Sequence, residues 1–488
     1  MKFISLDGVQ AEPLGQFFTP EHVAQSLVRW VVYDPGDRLL DPSCGDGAIV
    51  RHHPNSRGIE HDPFAALLAT ERAPTATIDN TDFFQWALVT KERFPCAAGN
   101  PPFIRFQKFK GKTKIAAENI CAAQGVKLGS LSSTWAAFLV ATASLLEVGG
   151  RMAFVVPAEI GHAPYAKPIL QYLVEHFRTV NVVAVQRKLF PKLSEDCWLL
   201  HCDGFGERTT HIEFTKVSSF EPCDRPPPSG ERVSWRDLEI NWQGRLRPFL
   251  ISRDCRALYQ EYSLRSGTER FGDFAKISIG YITGDNDFFH LSPTSARSFG
   301  IPSEYLLPTV RRGEYLQTDA VKDSTIKEWM INDEQYLLLC LSAGPVPDSV
   351  VKYLDSDRGL IARARYKCRT RAAWYSVPGV IRPDYFLQYM SGAEVRLARN
   401  EAGAVCTNSI LAVNIINPAS ATLRLPSWGS DFVKLSCELE GHPLGGGMLK
   451  LEPGEARRVV FPTHHSTENR GIIQEAVRAL REWRHTKS

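Results

Sequence analysis

This sequence of 488 residues has no strong excess of charge, no long apolar run and no regular cysteine pattern. Its net charge of +3 does not by itself indicate a partner that is a polyanion. The 11 cysteines are odd in number and contain no CxxC pair, which argues against a disulfide framework or a zinc site. No segment resembles a signal peptide or a membrane helix, so we expect a cytoplasmic protein that does not span a membrane.

The length predicts two or three domains, and a hydrophobic content of 43% is enough for real cores. The clearest linker is residues 221–230, which are rich in proline and polar residues. We therefore predict one domain at 1–225 and a second at 226–488. The second half is mildly basic, and residues 468–483 predict a C-terminal amphipathic helix.

The stretch Ala98–Phe103, with sequence AGNPPF, follows an apolar run that is typical of a buried strand. Ligands of open α/β sheets bind at such strand ends. The Asn100 side chain offers a carbonyl oxygen, and Pro101 lacks an N–H, so its backbone offers only an acceptor. Two fixed acceptors can hold a planar NH2 group, and Phe103 can stack on a flat ring beside it. A Pro-Pro turn that merely closes a strand is the structural alternative.

Three earlier strand ends carry residues suited to a nucleoside. The loop 41–47 contains Gly45 and Gly47, which permit close approach of the backbone, and a helix is expected to follow from about residue 48. Glu60 ends the next strand, where ribose hydroxyls are bound in Rossmann-type sheets. Asp82 can accept from an exocyclic amine while Phe83 covers the ring. Because Glu60 follows the glycines too closely and the loop is not GxGxxG, NAD and FAD are disfavoured.

Upstream, residues 16–20 are expected to open a helix, with Thr19 as N-cap and Pro20 as the first helical residue. The ordered set of segments resembles the class I S-adenosylmethionine-dependent methyltransferases. More narrowly, it is similar to the gamma-class N6-adenine DNA methyltransferases of bacterial restriction–modification systems, the TaqI-like group. The matching segments are residues 17–20, 41–47, 58–63, 82–83 and 100–103. One departure is Phe103, where the family commonly has Tyr.

The resemblance implies an α/β fold with a mostly parallel seven-stranded Rossmann-like sheet and a closing β-hairpin. A mixed α/β DNA target-recognition domain is expected to follow. The implied catalytic residues are Asn100, Pro101, Pro102 and Phe103, with no metal. The implied cofactor is S-adenosyl-L-methionine, bound by Phe18, Thr19, Asp41, Ser43, Cys44, Gly45, Gly47, Glu60, Asp82, Phe83 and Asn100.

The implied substrate is an adenine flipped out of double-stranded DNA and stacked on Phe103 and Phe190. Phe138 is also implied to lie against the base, and packing in the core is its structural alternative. Residues 104–134 read as a long polar connection that can contact phosphates. From Arg358 to Arg382 there are seven Lys or Arg and no acid, interleaved with aromatics. Segments 280–289 and 366–369 resemble parts of the family's recognition domains. The predicted DNA-binding residues are Lys108, Lys110, Lys112, Lys114, Arg363, Arg365, Lys367, Arg369 and Arg371.

Three alternative functions stay open on the residues alone. An N4-cytosine methyltransferase presents a similar amino group, and a protein-glutamine methyltransferase also uses Asn-Pro-Pro. A DNA-binding module with a vestigial cofactor pocket is the alternative from outside enzymes. We find no set of residues typical of a nuclease active site, so we expect any cognate endonuclease to be a separate chain. We also expect the protein to be a monomer that modifies DNA and associates with the nucleoid.

Overall fold

The computed structural model describes residues 19–105, 109–129, 132–191, 193, 195–228, 230–342, 345–463 and 469–484. The chain divides into two compact units, residues 1–250 and 251–488. Each unit has its own sheets and its own hydrophobic core, and each is described separately below.

The first unit is built on one nine-stranded sheet in the order β3-β2-β1-β4-β5-β7-β6-β8-β9. Strands β1 to β5 pair in parallel, and β7 lies antiparallel between β5 and β6. The strands are β1 Leu39–Asp41, β2 Ser56–Glu60, β3 Thr77–Asn80, β4 Phe94–Gly99, β5 Leu146–Pro157, β6 Phe177–Val185, β7 Cys197–Phe205, β8 His211–Val217 and β9 Glu231–Ser234.

This topology confirms the predicted class I methyltransferase fold, with β6 and β7 as the closing hairpin. The sheet is longer than predicted, because β8 adds in parallel to β6 and β9 adds antiparallel to β8. Burial accounts for the composition of the central strands: residues 152–156 of β5 are all fully buried and apolar. Strands covered on both faces by helices have no solvent face that would need polar residues.

Seven helices accompany this sheet in the described part of the first unit. They are α1 Glu21–Val31, α2 Pro63–Arg72, α3 Phe83–Val89, α4 Gly111–Ala123, α5 Thr134–Ala143, α6 Lys167–His176 and α7 Trp235–Trp242. The connection predicted at 104–134 therefore contains a helix of 13 residues, α4. Conversely, the helix expected from residue 48 is only a short 3-10 turn, Val50–His52.

The division between the units lies after Leu250, not at the predicted 225/226 boundary. The proline-rich segment 221–230 connects β8 to β9, which pair with each other in one sheet. The segment therefore leaves the sheet and returns to it. Proline and glycine indicated a loop correctly, but they do not distinguish a loop within a domain from a linker between domains.

The described residues of the second unit form four smaller sheets, in the orders β10-β23, β11-β20-β16-β18-β14, β12-β15-β13-β19 and β17-β22-β21. Its strands are β10 Glu269–Arg270, β11 Ala275–Ile279, β12 His290–Leu291, β13 Leu306–Val310, β14 Ala320–Val321, β15 Leu337–Leu339, β16 Tyr385–Gln388, β17 Met390–Ser391, β18 Leu397–Asn400, β19 Val405–Cys406, β20 Ile410–Ile415, β21 His442–Leu444, β22 Met448–Lys450 and β23 Val460–Phe461. Its helices are α8 Arg253–Leu264, α9 Phe271–Phe274, α10 Asn286–Phe289, α11 Pro293–Ser298, α12 Asp323–Ile331, α13 Asp348–Leu354, α14 Asp357–Ala364, α15 Tyr366–Arg369, α16 Pro418–Arg424, α17 Asp431–Glu440, α18 Pro453–Ala456 and α19 Arg470–Glu482.

The C-terminal helix predicted at 468–483 is confirmed as α19. Ile473, Val477 and Leu480 face the core of the second unit, as their helical spacing indicates. The helix is also anchored at its end, where the fully buried Arg484 guanidinium donates to the Glu438 carboxylate at 2.7 Å and to the Gly447 carbonyl at 2.7 Å. A buried charge needs such partners, since burial without them is strongly destabilising.

Candidate active site

The predicted site residues follow strands β1, β2, β3 and β4, which are neighbours in the first unit's sheet. These strands run parallel, so their carboxyl ends open on one edge of the sheet. Asp41 ends β1, Glu60 ends β2, Asp82 follows β3, and Asn100 follows β4. The fold therefore collects at one edge four residues that are widely separated in the sequence.

The loop 41–47 is joined to the end of β2 by hydrogen bonds. The Gly45 N–H donates to Glu60 Oε2 at 2.9 Å, and the Asp62 N–H donates to Glu60 Oε1 at 2.7 Å. Gly45 and Gly47 have φ values of +54° and +86°, which glycine adopts without strain. A Cβ on Gly47 would also lie 3.0 Å from Ala69 Cα of α2. Both glycines are thus required by the backbone of this loop.

Two carboxyl groups at this edge are almost completely buried. Asp41 is 1% exposed and Glu60 is 5% exposed. Burial raises the pKa of Asp41 to about 8, although the Ser43 N–H donates to its Oδ1 at 3.1 Å. Burial also raises the pKa of Glu60. Such carboxyl groups favour a ligand that brings positive charge or hydroxyl donors, because either would stabilise the ionised form.

The Cys44 thiol is inert at this site. It is 4% exposed, and burial together with the Asp41 and Glu60 carboxyls raises its pKa. A nucleophilic cysteine needs a lowered pKa and access to solvent, and Cys44 has neither.

Asp82 serves as the N-cap of α3 and also binds α4. Its Oδ1 accepts from the Gln85 N–H at 2.9 Å, and its Oδ2 accepts from the Thr113 hydroxyl at 2.9 Å. The contact with Thr113 was not predicted, because the sequence did not reveal helix α4. This helix therefore lies against the corner that the resemblance assigned to the cofactor's adenine.

Phe138, which was predicted to lie against the target base, packs beside Phe83. The two rings stack with centroids 5.3 Å apart and an interplanar angle of 10°, and Phe84 meets Phe138 edge-on at 4.7 Å. Phe138 is only 6% exposed. Because one face of its ring is covered by Phe83, Phe138 belongs to the aromatic group around Asp82.

The Asn100 side chain is oriented by Thr19. Its Nδ2 donates to Thr19 Oγ1 at 3.1 Å, and the Asn100 carbonyl lies 3.5 Å from the Ser43 hydroxyl of the loop 41–47. Thr19 was predicted to cap α1, but the helix begins at Glu21 with Pro20 as its N-cap. The Thr19 hydroxyl therefore contacts the amide of the AGNPPF loop instead of a helix end.

Residues 133–134, at the start of α5, hold the AGNPPF loop in place. The Thr134 hydroxyl donates to the Pro102 carbonyl at 2.5 Å and accepts from the Ile104 N–H at 3.2 Å. The Thr134 N–H donates to the Ile104 carbonyl at 2.8 Å, and the Ser133 hydroxyl donates to the same carbonyl at 3.1 Å. Ser133 is the N-cap of α5, yet its side chain does not cap the helix.

We name this set of hydrogen bonds the α5 clamp. A serine at an N-cap usually accepts from a helix N–H, so its use elsewhere marks the loop as the favoured partner. Sequence reasoning missed the clamp. The serine-rich stretch before α5 was the only signal, and it does not say which carbonyls the hydroxyls reach.

Phe103 and Phe190, which were predicted to stack on the target base, belong to one hydrophobic group. Phe190 lies between β6 and β7 in a core cluster with Leu189 and Leu193, and the partly buried Phe103 packs against that cluster. Phe190 is 8% exposed, so its ring is largely enclosed.

Three of the predicted DNA-binding residues of the first unit lie at the start of α4. Lys110 is the residue before the helix, Lys112 is exposed, and Lys114 lies 3.8 Å from the Glu118 carboxylate. Lys108 and Phe18 lie outside the described residues. Lys112 and Lys114 are thus on a helix, and not in the extended connection that the charge run suggested.

In the second unit, the structure joins the two segments that the sequence singled out. Arg371 Nη2 donates to the Ile282 carbonyl at 2.7 Å, and Arg365 Nε donates to Asp285 Oδ2 at 3.2 Å. Residues 280–289 and 366–371 therefore form one local structure. Arg363, Lys367 and Arg369 lie on its exposed side.

Within the described ranges, no group of three His, Cys, Asp or Glu residues is placed to hold a metal ion. In the same part of the chain, no helix has the length and apolar character needed to cross a membrane. All eleven cysteines are free thiols.

Comparison with known proteins places these features in a family. Residues 244–487, half of the chain, match the model for the C-terminal domain of the type II methyltransferase M.Eco57I. The type II methyltransferase M.AccI of Acinetobacter calcoaceticus is 20% identical over 94% of this chain and 86% of its own length. The type II methyltransferase M.XamI of Xanthomonas campestris pv. amaranthicola is 21% identical over 93% and 86%.

Among solved structures, the type IIL restriction–modification enzyme MmeI in complex with DNA aligns with a TM-score of 0.52 at 13% identity. The alignment covers 91% of this chain and 64% of MmeI, so this chain spans less than two thirds of that protein. At this identity the likeness concerns the fold. The family match over half of the chain shows that it belongs to the type II methyltransferases of restriction–modification systems that carry an M.Eco57I-type C-terminal domain.

Proposed function

We propose that this chain transfers a methyl group from S-adenosyl-L-methionine to the N6 amino group of an adenine flipped out of double-stranded DNA. The observation that carries the proposal is the Asn100 amide, which is bound by Thr19 through its NH2 end at 3.1 Å. The other polar atom of that amide, Oδ1, can only accept hydrogen bonds, and it has two lone pairs with which to do so. A fixed acceptor is what a substrate amino group requires.

The amino nitrogen of adenine is a weak nucleophile, because its lone pair is delocalised into the ring. Hydrogen bonds from its two N–H groups to Asn100 Oδ1 and the Pro101 carbonyl would localise the lone pair on nitrogen. Holding the amino group in line with the methyl donor can supply a large part of the rate, up to about 7–11 kcal/mol of the barrier. The α5 clamp supports this role, since it fixes the carbonyl of Pro102 and thereby the course of the loop.

The hydrogen-bonding groups at the strand ends fit S-adenosyl-L-methionine. The cofactor supplies an electrophilic methyl group on a positively charged sulfur. Glu60 would accept from its ribose hydroxyls, and its two oxygens retain acceptor capacity beside the N–H groups of Gly45 and Asp62. Asp82 would accept from the adenine amine, with Phe83 and Phe138 as the aromatic wall. Thr19, Asp41 and the loop 41–47 would bind the methionine end.

Phe103 and Phe190 are proposed to stack on the extruded base. Flipping removes the base from its stack, and an aromatic platform recovers about 1–3 kcal/mol per base. Their membership of one hydrophobic cluster supports this role. The second unit is proposed to supply DNA affinity and sequence choice, through its basic segment from Arg358 onward. The enzyme is proposed to act as a monomer, with any cognate endonuclease on a separate chain.

The decisive experiment is expression of the full chain in a host without DNA methylation, followed by sequencing that detects modified bases. We expect N6-methyladenine within one short motif. An Asn100→Ala variant should abolish the mark, whereas Asn332→Ala, at an exposed position of the second unit, should leave it intact. N4-methylcytosine would identify the cytosine alternative. Unmodified DNA from a folded protein that binds the cofactor would refute the proposal.

A further inference from the structure

The exposed face of helix α14 combines apolar and basic residues in an unusual way. Leu360 and Ile361 are 58% and 57% exposed, and Ala364 next to them is also exposed. At 100° per residue these three side chains share one face of the helix. Arg358 and Arg363 lie on either side of that face and are exposed as well. We call these five residues the α14 face.

The opposite side of α14 is packed tightly against its own unit. Gly359 and Ala362 are buried there. A Cβ on Gly359 would lie 1.9 Å from the Leu354 carbonyl oxygen, so only glycine allows α14 to lie this close to the end of α13. The α14 face is therefore presented by a helix that is held firmly, and a rigid surface loses little entropy on binding.

The next helix, α15, is fixed in the same way and adds further cations. Cys368 is fully buried and its thiol contacts the Thr283 carbonyl at 3.6 Å. Gly284, at φ +92°, would place a Cβ 2.9 Å from Lys367 Cβ, so the turn and α15 are in close contact. Lys367 and Arg369 are exposed on the outer side.

The charge of this region points to a polyanion. From Arg358 to Arg382 there are seven Lys or Arg and no acid. Among the described residues, Arg363, Lys367 and Arg369 make no ion pair that would offset their mutual repulsion, whereas Arg365 is paired with Asp285. An unpaired basic cluster is stabilised when phosphates replace the solvent around it.

Charge alone would suit any polyanion, but the exposed leucine and isoleucine narrow the class of partner. A helix with an apolar centre and basic flanks matches a DNA groove, where thymine methyl groups and base edges lie between two rows of phosphates. Apolar side chains also enter DNA as wedges at base steps.

We propose that the α14 face enters a groove of double-stranded DNA, with Leu360 and Ile361 against the base edges. Arg363 and Arg369 would then contact the phosphates. This inference rests on the proposed function. It goes further by naming the surface that contacts the DNA, with its apolar side chains at the bases and its basic side chains at the phosphates.

The test uses the full chain and two duplexes: one carries the motif found by sequencing, and the other has that motif shuffled. Binding is measured from about 50 to 200 mM salt, the range over which phosphate contacts change affinity most. The first variant is Leu360→Ala with Ile361→Ala. Its matched control is Met330→Ala with Ile331→Ala, since that pair on α12 is also exposed, at 50% and 80%.

We expect the Leu360/Ile361 variant to lose about tenfold of its preference for the motif duplex, the scale of one mismatched base pair, with an unchanged salt dependence. The second variant, Arg363→Ala with Arg369→Ala, should bind both duplexes more weakly. The slope of log K against log salt should decrease by about 0.9 for each lost phosphate contact. The control should match the wild type in both respects.

Three results would overturn the inference. One is that the Leu360/Ile361 variant and its control prefer the motif duplex over the shuffled duplex to the same extent. The second is an unchanged salt slope in the arginine variant. The third is a wild-type dimer that the Leu360/Ile361 variant converts to a monomer in sedimentation, since the partner of the face would then be a second copy. A wild-type protein that neither binds nor methylates any DNA would instead refute the proposed function itself.

Discussion

The α5 clamp makes Thr134→Val the most informative substitution in the first unit. Valine has nearly the same shape as threonine but lacks the hydroxyl that donates to the Pro102 carbonyl at 2.5 Å and accepts from the Ile104 N–H at 3.2 Å. The site is fully buried, so water does not replace these bonds. The change therefore removes two hydrogen bonds from the AGNPPF loop without altering any residue proposed to touch the substrate.

The size of the effect follows from those two bonds. Each is worth about 1 kcal/mol net, so the loop loses about 2 kcal/mol of preference for its observed course. The bonds to the Ile104 carbonyl from the Thr134 N–H and the Ser133 hydroxyl remain, so the loop stays attached at that end. If the same free energy of about 2 kcal/mol is needed to bring Asn100 into its reactive position, then the methylation rate should decrease about 30-fold.

The assay is single-turnover methylation of the motif duplex, run beside calorimetry with the cofactor and a thermal melt. We expect a lower rate at saturating substrate, an unchanged cofactor affinity and a melting temperature lowered by about 4–8 °C, the shift that a loss of about 2 kcal/mol produces in a domain of this size. Thr134→Ser retains the hydroxyl and should restore most of the rate. A valine variant with the wild-type rate, or a serine variant as slow as valine, would show that the clamp does not position the loop.

Three further predictions address the buried carboxyl, the stacking aromatic and the boundary between the units. The pKa of Asp41 is raised from 3.8 to about 8 in the folded apoprotein. Between these two values the folded protein keeps a proton on Asp41 that the unfolded chain releases. The free energy of unfolding therefore decreases as the pH rises from about 4 to 8. Asp41→Asn should therefore melt at a higher temperature than wild-type apoprotein, and the difference between the two melting temperatures should grow as the pH rises across that range. A difference that stays constant with pH would contradict the raised pKa. Phe190→Ala should slow methylation of normal duplex more than of duplex with a mismatched target adenine, because extrusion then costs less. If Phe190 only packs the core, equal losses on both substrates should accompany destabilisation of about 3–5 kcal/mol. A chain ending at Leu250 keeps β9 and α7, and it should bind the cofactor but no specific DNA site. A sequence-specific footprint from this shortened chain would show that the second unit does not select the DNA sequence.

The sequence by itself determined the features that depend on neighbouring residues. The positions of the strand ends followed from glycine turns, acidic residues and apolar runs, and the sheet has the class I order that the family resemblance implied. Helix α19 followed from its apolar spacing. Such features are legible because hydrogen bonds within a turn and the period of a helix involve residues only a few positions apart.

The tertiary structure decided what each side chain meets. Thr19 was expected to cap a helix and instead binds Asn100, and Phe138 stacks on Phe83, a ring contact that the sequence did not reveal. The partner of a hydroxyl or a ring depends on where distant segments cross, and no local pattern encodes that. The same reason applies to residues 221–230, where only the pairing of β8 with β9 shows that the chain returns to its sheet.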